Sequence, residues 1–382
     1  MKGLRELIVL SLERWDDVWR RNQLLIEALV ADRSDLRVLF AEPPLAALRS
    51  FHGVRPPRPD LRGAPELPAV TVLQPVEWTP DRLSPFVPPV SGAAVRRFAR
   101  RLGLEAPVLW VNNHSLARFA LSTRWPLVYD VTDDWLLAEQ ARGKRRRARL
   151  DDELLMKHAD AVTVCSPALA ASRGARRPDV ALIPNGVDLT HLTTPQRRPD
   201  DLGNGPVAVY VGTLHDERLD VQLACDLADE LGDVRFVYVG PDSLKATSRQ
   251  ALSRRVNVRL IGPRPYALIP AYLQHADALI VPHVVSPFTE SLDPIKAREY
   301  LAVGAPTVAT PVAGFRGLGP QVRIATPHEF ARELRSVLRF RGAPTPASDL
   351  WTWTAAGRAF GEILESLALL PRRASYRGAR SS

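Results

Sequence analysis

Two glutamates and a lysine stand close together in FTESLDPIKAREYLAVGAPTVATPVAG, Phe288 to Gly314. Glu290 precedes the start of a short helix, Lys296 falls in its first turn and Glu299 near its middle. Asp293 reads as the N-cap, and Pro294 suits the first helical position, where its missing N–H costs nothing. Gly304 reads as a left-handed stop, and Pro306 leads into the β-branched strand TVAT. The free N–H groups and positive dipole end of such a helix make an anion site. A cation in the first turn is unfavourable by roughly 0.3–1 kcal/mol unless an anion lies nearby. Together these residues predict a site for a polyhydroxylated, phosphorylated ligand.

The rest of the chain has to position that site. Its 382 residues suit two domains, with apolar and charged fractions ordinary for a globular protein. No run approaches a membrane span, no signal peptide is evident, and Cys165 and Cys225 lie in apolar segments. These features predict a cytoplasmic protein with core cysteines rather than a disulfide. The net charge of +9 is uneven: residues 1–199 hold 30 Lys/Arg and 23 Asp/Glu, or +7, which leaves +2 for the remainder. VRRFARR (Val95–Arg101) and RGKRRRAR (Arg142–Arg149) dominate it. They read either as solvated helix faces or as a peripheral contact with anionic lipid headgroups or an anionic acceptor. No nucleic-acid motif accompanies the charge, which argues against a nucleic-acid partner.

Strands and helices alternate throughout. In the first half the strands are LRELIVLS (Leu4–Ser11), LRVLFAEPP (Leu36–Pro44), AVTVLQP (Ala69–Pro75), APVLWVNN (Ala106–Asn113), PLVYDVTDD and DAVTVCS (Asp160–Ser166). A helix is expected over RWDDVWRRNQLLIEALV, with Val18, Leu25 and Leu29 on one face. Basic helices follow over Gly92–Leu104 and around Lys144–His158, and Arg55 to Pro89 is Pro-rich. IPNGVDL (Ile183–Leu189) reads as a short strand and turn in which Asn185-Gly186 supplies positive φ. After a polar stretch, VAVYVGTL, VRFVYVGP, VNVRLIGP and DALIVPH continue the rhythm, and a last helix runs from Trp351 to Leu369. This predicts an α/β protein of two doubly wound, Rossmann-like parallel-sheet domains facing a central cleft. The expected limits are 1–196 for the N-terminal domain, 197–206 for a linker and 207–345 for the C-terminal domain. A helix in 346–370 would pack back on the N-domain, and 371–382 would form a disordered basic tail.

Several of these segments carry a family pattern. EYLAVGAPTVAT, IPNGVDL, YVGTLHDER, the W-x-x-V-x-x-R opening (Trp15 to Arg21) and VYDVTDDW (Val128–Trp135) resemble the group 1, retaining family 4-like nucleotide-sugar glycosyltransferases of the GT-B fold. Eight residues separate Glu290 from Glu299, one more than is usual there. The resemblance implies that Glu299 grips the ribose hydroxyls and Glu290 the donor sugar. Ser291, Leu292, Asp293 and Lys296 would bind sugar hydroxyls and diphosphate through the helix start. Arg218, six residues after Gly212, takes the place of the family's phosphate-binding lysine. Thr213 stands where an arginine usually follows that glycine, with Lys296 as its candidate substitute. Gly240, Pro241, Gly262 and Pro263 would line the nucleoside pocket.

In the N-domain the resemblance places His114 at the active-site histidine, with Asn112 two residues before it. SLERWDDVW replaces the family's glycine pair. Arg14, Arg20, Asp133 and Asp134 are candidates for acceptor or phosphate contacts, and Trp15, Trp19 and Trp135 are either core residues or sugar platforms. The implied chemistry is retaining, free of cofactor and metal, with a nucleotide diphosphate-sugar as co-substrate and proton transfer to the leaving phosphate. The acceptor is a sugar, a lipid-linked glycan or a small molecule. A non-catalytic sugar-nucleotide-binding subunit and a nucleotide-sugar epimerase are the alternatives on this fold.

Overall fold

The computed structural model describes residues 3–47, 57–78, 90–134, 137, 142–339 and 346–371. Much of the Pro-rich stretch, Trp135 and the basic tail beyond 371 therefore lie outside the described residues. Two sheets organise the chain. The first has eight strands, in spatial order Ala181–Leu182, Ala161–Val164, Leu127–Val131, Val108–Val111, Glu6–Leu10, Arg37–Ala41, Val70–Gln74 and Asp60–Gly63. Every pairing is parallel except the last, where Asp60–Gly63 runs antiparallel to Val70–Gln74. That edge strand, DLRG, has no apolar alternation to announce it. The second sheet orders Val258–Gly262, Arg235–Val239, Val207–Val211, Ala278–Val281, Thr307–Ala309 and Val322–Ile324, all parallel.

The inner strands are buried on both faces, as parallel sheets covered by helices require, so their apolar runs are continuous. In each sheet the chain starts centrally and then builds outward in both directions. One switch point falls between Glu6–Leu10 and Val108–Val111, the other between Val207–Val211 and Ala278–Val281. Ligands on such sheets bind beyond the carboxyl ends of the strands at this reversal.

The last helix, Trp353–Ala368, belongs to the first sheet's core. Trp353, Ala356, Phe360, Leu364 and Leu367 join Leu25, Leu29 and Trp110 in one apolar cluster, and the Trp110 and Phe360 rings meet edge-on at 4.7 Å. The chain thus crosses between domains twice, and the two crossings are hydrogen-bonded together. Val187 N–H donates to Trp351 O and Trp353 N–H to Val187 O, both at 3.1 Å.

Three local expectations are corrected. The first helix starts at Arg21, not before Val18. Asp16 captures the Val18 N–H at 3.0 Å in a local turn, and the Gln23 side chain satisfies Arg20 N–H, so residues 12–20 stay irregular. Ile183–Leu189 is not a strand, and Gly186 is absent from the positive-φ glycines. Glycine is needed there because a Cβ would collide with the Trp353 backbone. Asp293 does not cap the helix, which begins at Ile295 with Pro294 in the cap position; its carboxylate is taken by Asn185 N–H and Arg298, both at 2.7 Å.

Phe360→Ala should lower the stability of the N-terminal domain by about 3–5 kcal/mol, the range for emptying an aromatic core site. Urea unfolding followed by N-domain tryptophan fluorescence will show an earlier midpoint, with the C-domain transition unmoved.

Candidate functional site

Between the sheets lies a cleft of about 470 Å³, lined from both domains. Its C-terminal wall is built on the ends of Val207–Val211, Arg235–Val239 and Ala278–Val281. Gly212 and Gly240 both have positive φ, and a Cβ on Gly240 would strike Gly212 O, so these two strand ends close together only as glycines. A Cβ on Gly212 would lie 2.6 Å from Lys296 Nζ. That ammonium sits 3.7 Å from the Tyr210 ring centroid, a cation–π contact made from the first turn of helix Ile295–Val303. The Tyr210 hydroxyl meets His283 Nε2 at 3.2 Å. Arg218 reaches in from the loop after Val211, its guanidinium 5.3 Å from the Phe288 ring.

The charges on this wall are poorly compensated. Burial and the nearby Arg218 hold Lys296 well below the usual lysine range, with Glu299 opposing. Burial pushes Glu299 up to about 7, with Lys296 opposing. Glu299 is only 8% exposed and accepts no hydrogen bond from any described residue. His283 is driven well below its ordinary value by burial, then by Lys296 and Arg218, so it is neutral. Two like charges and an unpaired carboxylate facing a cavity are what an anionic, hydroxyl-bearing ligand would complete.

The N-terminal wall starts at the ends of Glu6–Leu10, Val108–Val111 and Leu127–Val131. It contributes Glu13, Trp19, Arg20, Asn112 and Asp133. Asp133 pairs with Arg218 across the cleft at 3.3 Å. Trp19 stacks on Tyr266 of the other domain, centroids 5.5 Å apart and planes 4° from parallel. Beneath the cleft, Arg21 is buried and bidentate on Asp130, with both bonds at 3.1 Å. Its remaining arm donates to Asn185 Oδ1 at 3.0 Å, and Asn185 in turn donates through its amide and backbone N–H to Asp293.

Of the residues singled out from sequence, the cleft gathers Arg218, Lys296, Glu299, Leu292, Asp293, Gly212, Thr213, Gly240, Pro241, Arg20 and Asp133. Others face elsewhere. The Glu290 carboxylate is bonded by two arms of Arg316 and by Ala313 N–H, which holds it below the ordinary range. Ser291 is internal, its hydroxyl on Phe288 O and its carbonyl taking the Ser166 hydroxyl at 2.7 Å. His114 opens a single turn after Val108–Val111 and is held below its usual value by burial, against the pull of Asp152. Asp134 pairs with Arg173 and Arg14 is exposed. Gly262 accepts the Gly240 N–H from behind, and Pro263 follows it outside the lining. Trp15 is core, its backbone N–H bonded to Glu42.

Sequence reasoning missed Glu13, Arg21, Asn185, Tyr266 and His283 as cleft residues. A strand-end position was the available signal for Glu13 and His283. Glu13 lines the wall with its side chain 41% exposed and forms an ion pair with Arg20 Nε at 3.6 Å.

A pH dependence follows. Glu299 rises from an ordinary 4.5 to about 7 on folding. Across that interval the folded chain holds more protons than the unfolded one, so its contribution to stability is greatest below 4.5 and is lost as pH rises to about 7. Thermal melts of Glu299→Gln between pH 4.5 and 7.5 should decline less steeply than wild type; an unchanged slope would contradict the assignment.

Comparison with known proteins agrees with this geometry. Residues 18–186 match the family model described as glycosyl transferase 4-like domain, and residues 205–339 the one described as glycosyl transferases group 1. A Bacillus subtilis (strain 168) protein named as a candidate teichuronic acid biosynthesis glycosyltransferase, TuaH, is 29% identical over 199 residues. That match covers 48% of this chain and 50% of the relative, so the chain spans about half the length of the curated relative it matches. Among solved structures, sucrose-phosphate synthase from Thermosynechococcus elongatus superposes with a TM-score of 0.64 at 15% identity, covering 96% of each chain. Anabaena HepE, solved with UDP and glucose, gives 0.63 at 18% identity, covering 96% of this chain and 100% of its own. With family matches running through both sheets that form the cleft, the chain belongs to the group 1 glycosyltransferases of the GT-B fold.

Proposed function

We propose that the protein transfers a sugar from a nucleotide diphosphate-sugar to an acceptor hydroxyl held against the N-terminal wall. One observation carries this reading: Glu299 is buried and without a hydrogen-bond partner among the described residues, one turn from Lys296 on the same cleft-facing helix. A carboxylate so placed accepts two vicinal ribose hydroxyls, and the desolvated ammonium beside Gly212 meets the diphosphate. Lys296 thereby does the work that Thr213 cannot, and Arg218 leaves Asp133 for the second phosphate. Retention at the anomeric carbon and independence of metal belong to the same proposal and rest on the family resemblance.

The acceptor side of the proposal is coarser. Arg145, Arg146 and Arg149 are exposed beside Leu150 on helix Arg142–His158, and Arg97, Arg100 and Arg101 are exposed on helix Val90–Arg101. Both faces suit an anionic lipid surface carrying a lipid-linked acceptor. Among the described residues no helix is long and apolar enough to cross a membrane. A second reading, sugar-nucleotide binding without transfer, is favoured by the placement of His114 and Glu290 outside the cleft lining.

Thermal shift with UDP-, GDP-, dTDP- and ADP-sugars tests donor binding. A cognate donor at 100 times its dissociation constant should add about 2.7 kcal/mol. Glu299→Ala should abolish that shift and the turnover with it; unchanged donor affinity and rate in this variant would sink the donor reading. Release of free sugar from the donor would count against binding without transfer.

A further inference from the structure

The two cations of the C-terminal wall are in different states. Lys296 forms no ion pair among the described residues, and its ammonium rests on the Tyr210 ring, 3.7 Å from the centroid. Arg218 already holds an anion. Its Nη2 donates to Asp133 Oδ2 at 3.3 Å, and that carboxylate comes from the opposite domain, 85 residues away in sequence. The two side chains are 29% and 23% exposed, so water and ligands reach the pair from the cleft. The neighbouring acid, Glu13, has its own partner in Arg20 Nε at 3.6 Å.

The pair is built to open without moving the walls. The Arg218 backbone is held on both sides, its N–H on His215 O at 2.9 Å and its carbonyl accepting Val284 N–H at 2.8 Å. The guanidinium can therefore change partner while the loop stays fixed. The Trp19–Tyr266 stack and the 2.9 Å bond from Tyr266 N–H to Asp17 O involve neither Arg218 nor Asp133, and they keep the domains joined when the pair breaks.

We propose that Asp133 is an internal stand-in for a phosphate, a carboxylate that occupies Arg218 in the empty cleft and is displaced by the second phosphate of the donor. This rests on the donor reading above. The effect is selective. A ligand with one phosphate next to its ribose meets Lys296, one turn from Glu299, and leaves the Arg218–Asp133 pair intact. A diphosphate reaches both cations and has to break the pair, so Asp133 weakens the binding of diphosphates alone. It opposes the nucleoside diphosphate product in the same way, which favours release after transfer.

The test is titration calorimetry on the full chain at low ionic strength, with UDP, GDP, dTDP and ADP, then the monophosphate of the base that binds. Asp133→Asn should lower the diphosphate dissociation constant about two- to fivefold, the worth of a partly exposed ion pair, and move the monophosphate constant by less than about 1.5-fold. Asp133→Glu should restore the wild-type diphosphate constant. In wild type, salt screens the pair as well as the phosphate contact, so diphosphate binding should weaken more steeply with salt in Asp133→Asn. On an Arg218→Gln background the Asp133→Asn substitution should change nothing. Monophosphate affinity reports the fold of each variant; if Asp133→Asn loses it, Asp133→Ser removes the charge in its place. A diphosphate constant that is unchanged or higher in the variant overturns the role of Asp133 and leaves the donor reading standing. Equal tightening of both nucleotides, or tightening that persists without Arg218, also overturns it, since either marks plain repulsion by a cleft acid. Failure of all four diphosphates to bind wild type removes the donor reading itself.

Discussion

Everything in this molecule turns on a buried guanidinium. Arg21 begins the first helix, neutralises Asp130 in the middle of the first sheet, and spends its last arm on Asn185 at the crossing between domains. Asn185 then fixes Asp293, and Asp293 fixes Arg298 on the cleft helix. An ion pair of this depth is a poor source of stability, because desolvation offsets most of its Coulomb attraction. Its value is geometric. Five charged or polar side chains, Arg21, Asp130, Asn185, Asp293 and Arg298, tie the first sheet to the helix that carries Lys296 and Glu299.

The cleft is arranged on the opposite principle. Around Arg21 every polar arm has a partner; around Lys296 and Glu299 partners are withheld. Lys296 rests on the Tyr210 ring, which attracts the ammonium without supplying a counter-ion, and Glu299 faces the cavity without a donor. Unpaired buried charge costs stability, and a ligand of matching charge recovers it. Across the gap, the Arg218–Asp133 pair, the Trp19–Tyr266 stack and the bond from Tyr266 N–H to Asp17 O join the walls. The Arg218–Asp133 pair is the contact an incoming anion would compete for.

Much of the fold was legible because parallel strands buried on both faces appear as unbroken apolar runs, such as VLWV and VAVYV. Lys296 and Glu299 were legible because helix starts follow local rules, and Arg218 because it stands six residues after Gly212 where the family pattern has a phosphate-binding cation. What escaped depended on a distant partner. Asp293 has the chemistry of a cap, but Asn185, 108 residues away in sequence, claims it. Gly186 reads as a turn glycine, yet its missing side chain makes room for the backbone of Trp353. Glu13 is an unremarked acid in a polar loop until the fold brings that loop to the cleft wall.

The return of the last helix to the first sheet has a consequence for how the protein is made. The N-terminal sheet is synthesised first, but its core stays incomplete until Trp353 to Leu367 leave the ribosome. During that interval Trp110 and the apolar side of the first helix lack the surface that covers them. The C-terminal sheet carries its own core and can close earlier. Translation order and order of completion are therefore reversed, and the nascent N-terminal half is the part of the chain most in need of a chaperone.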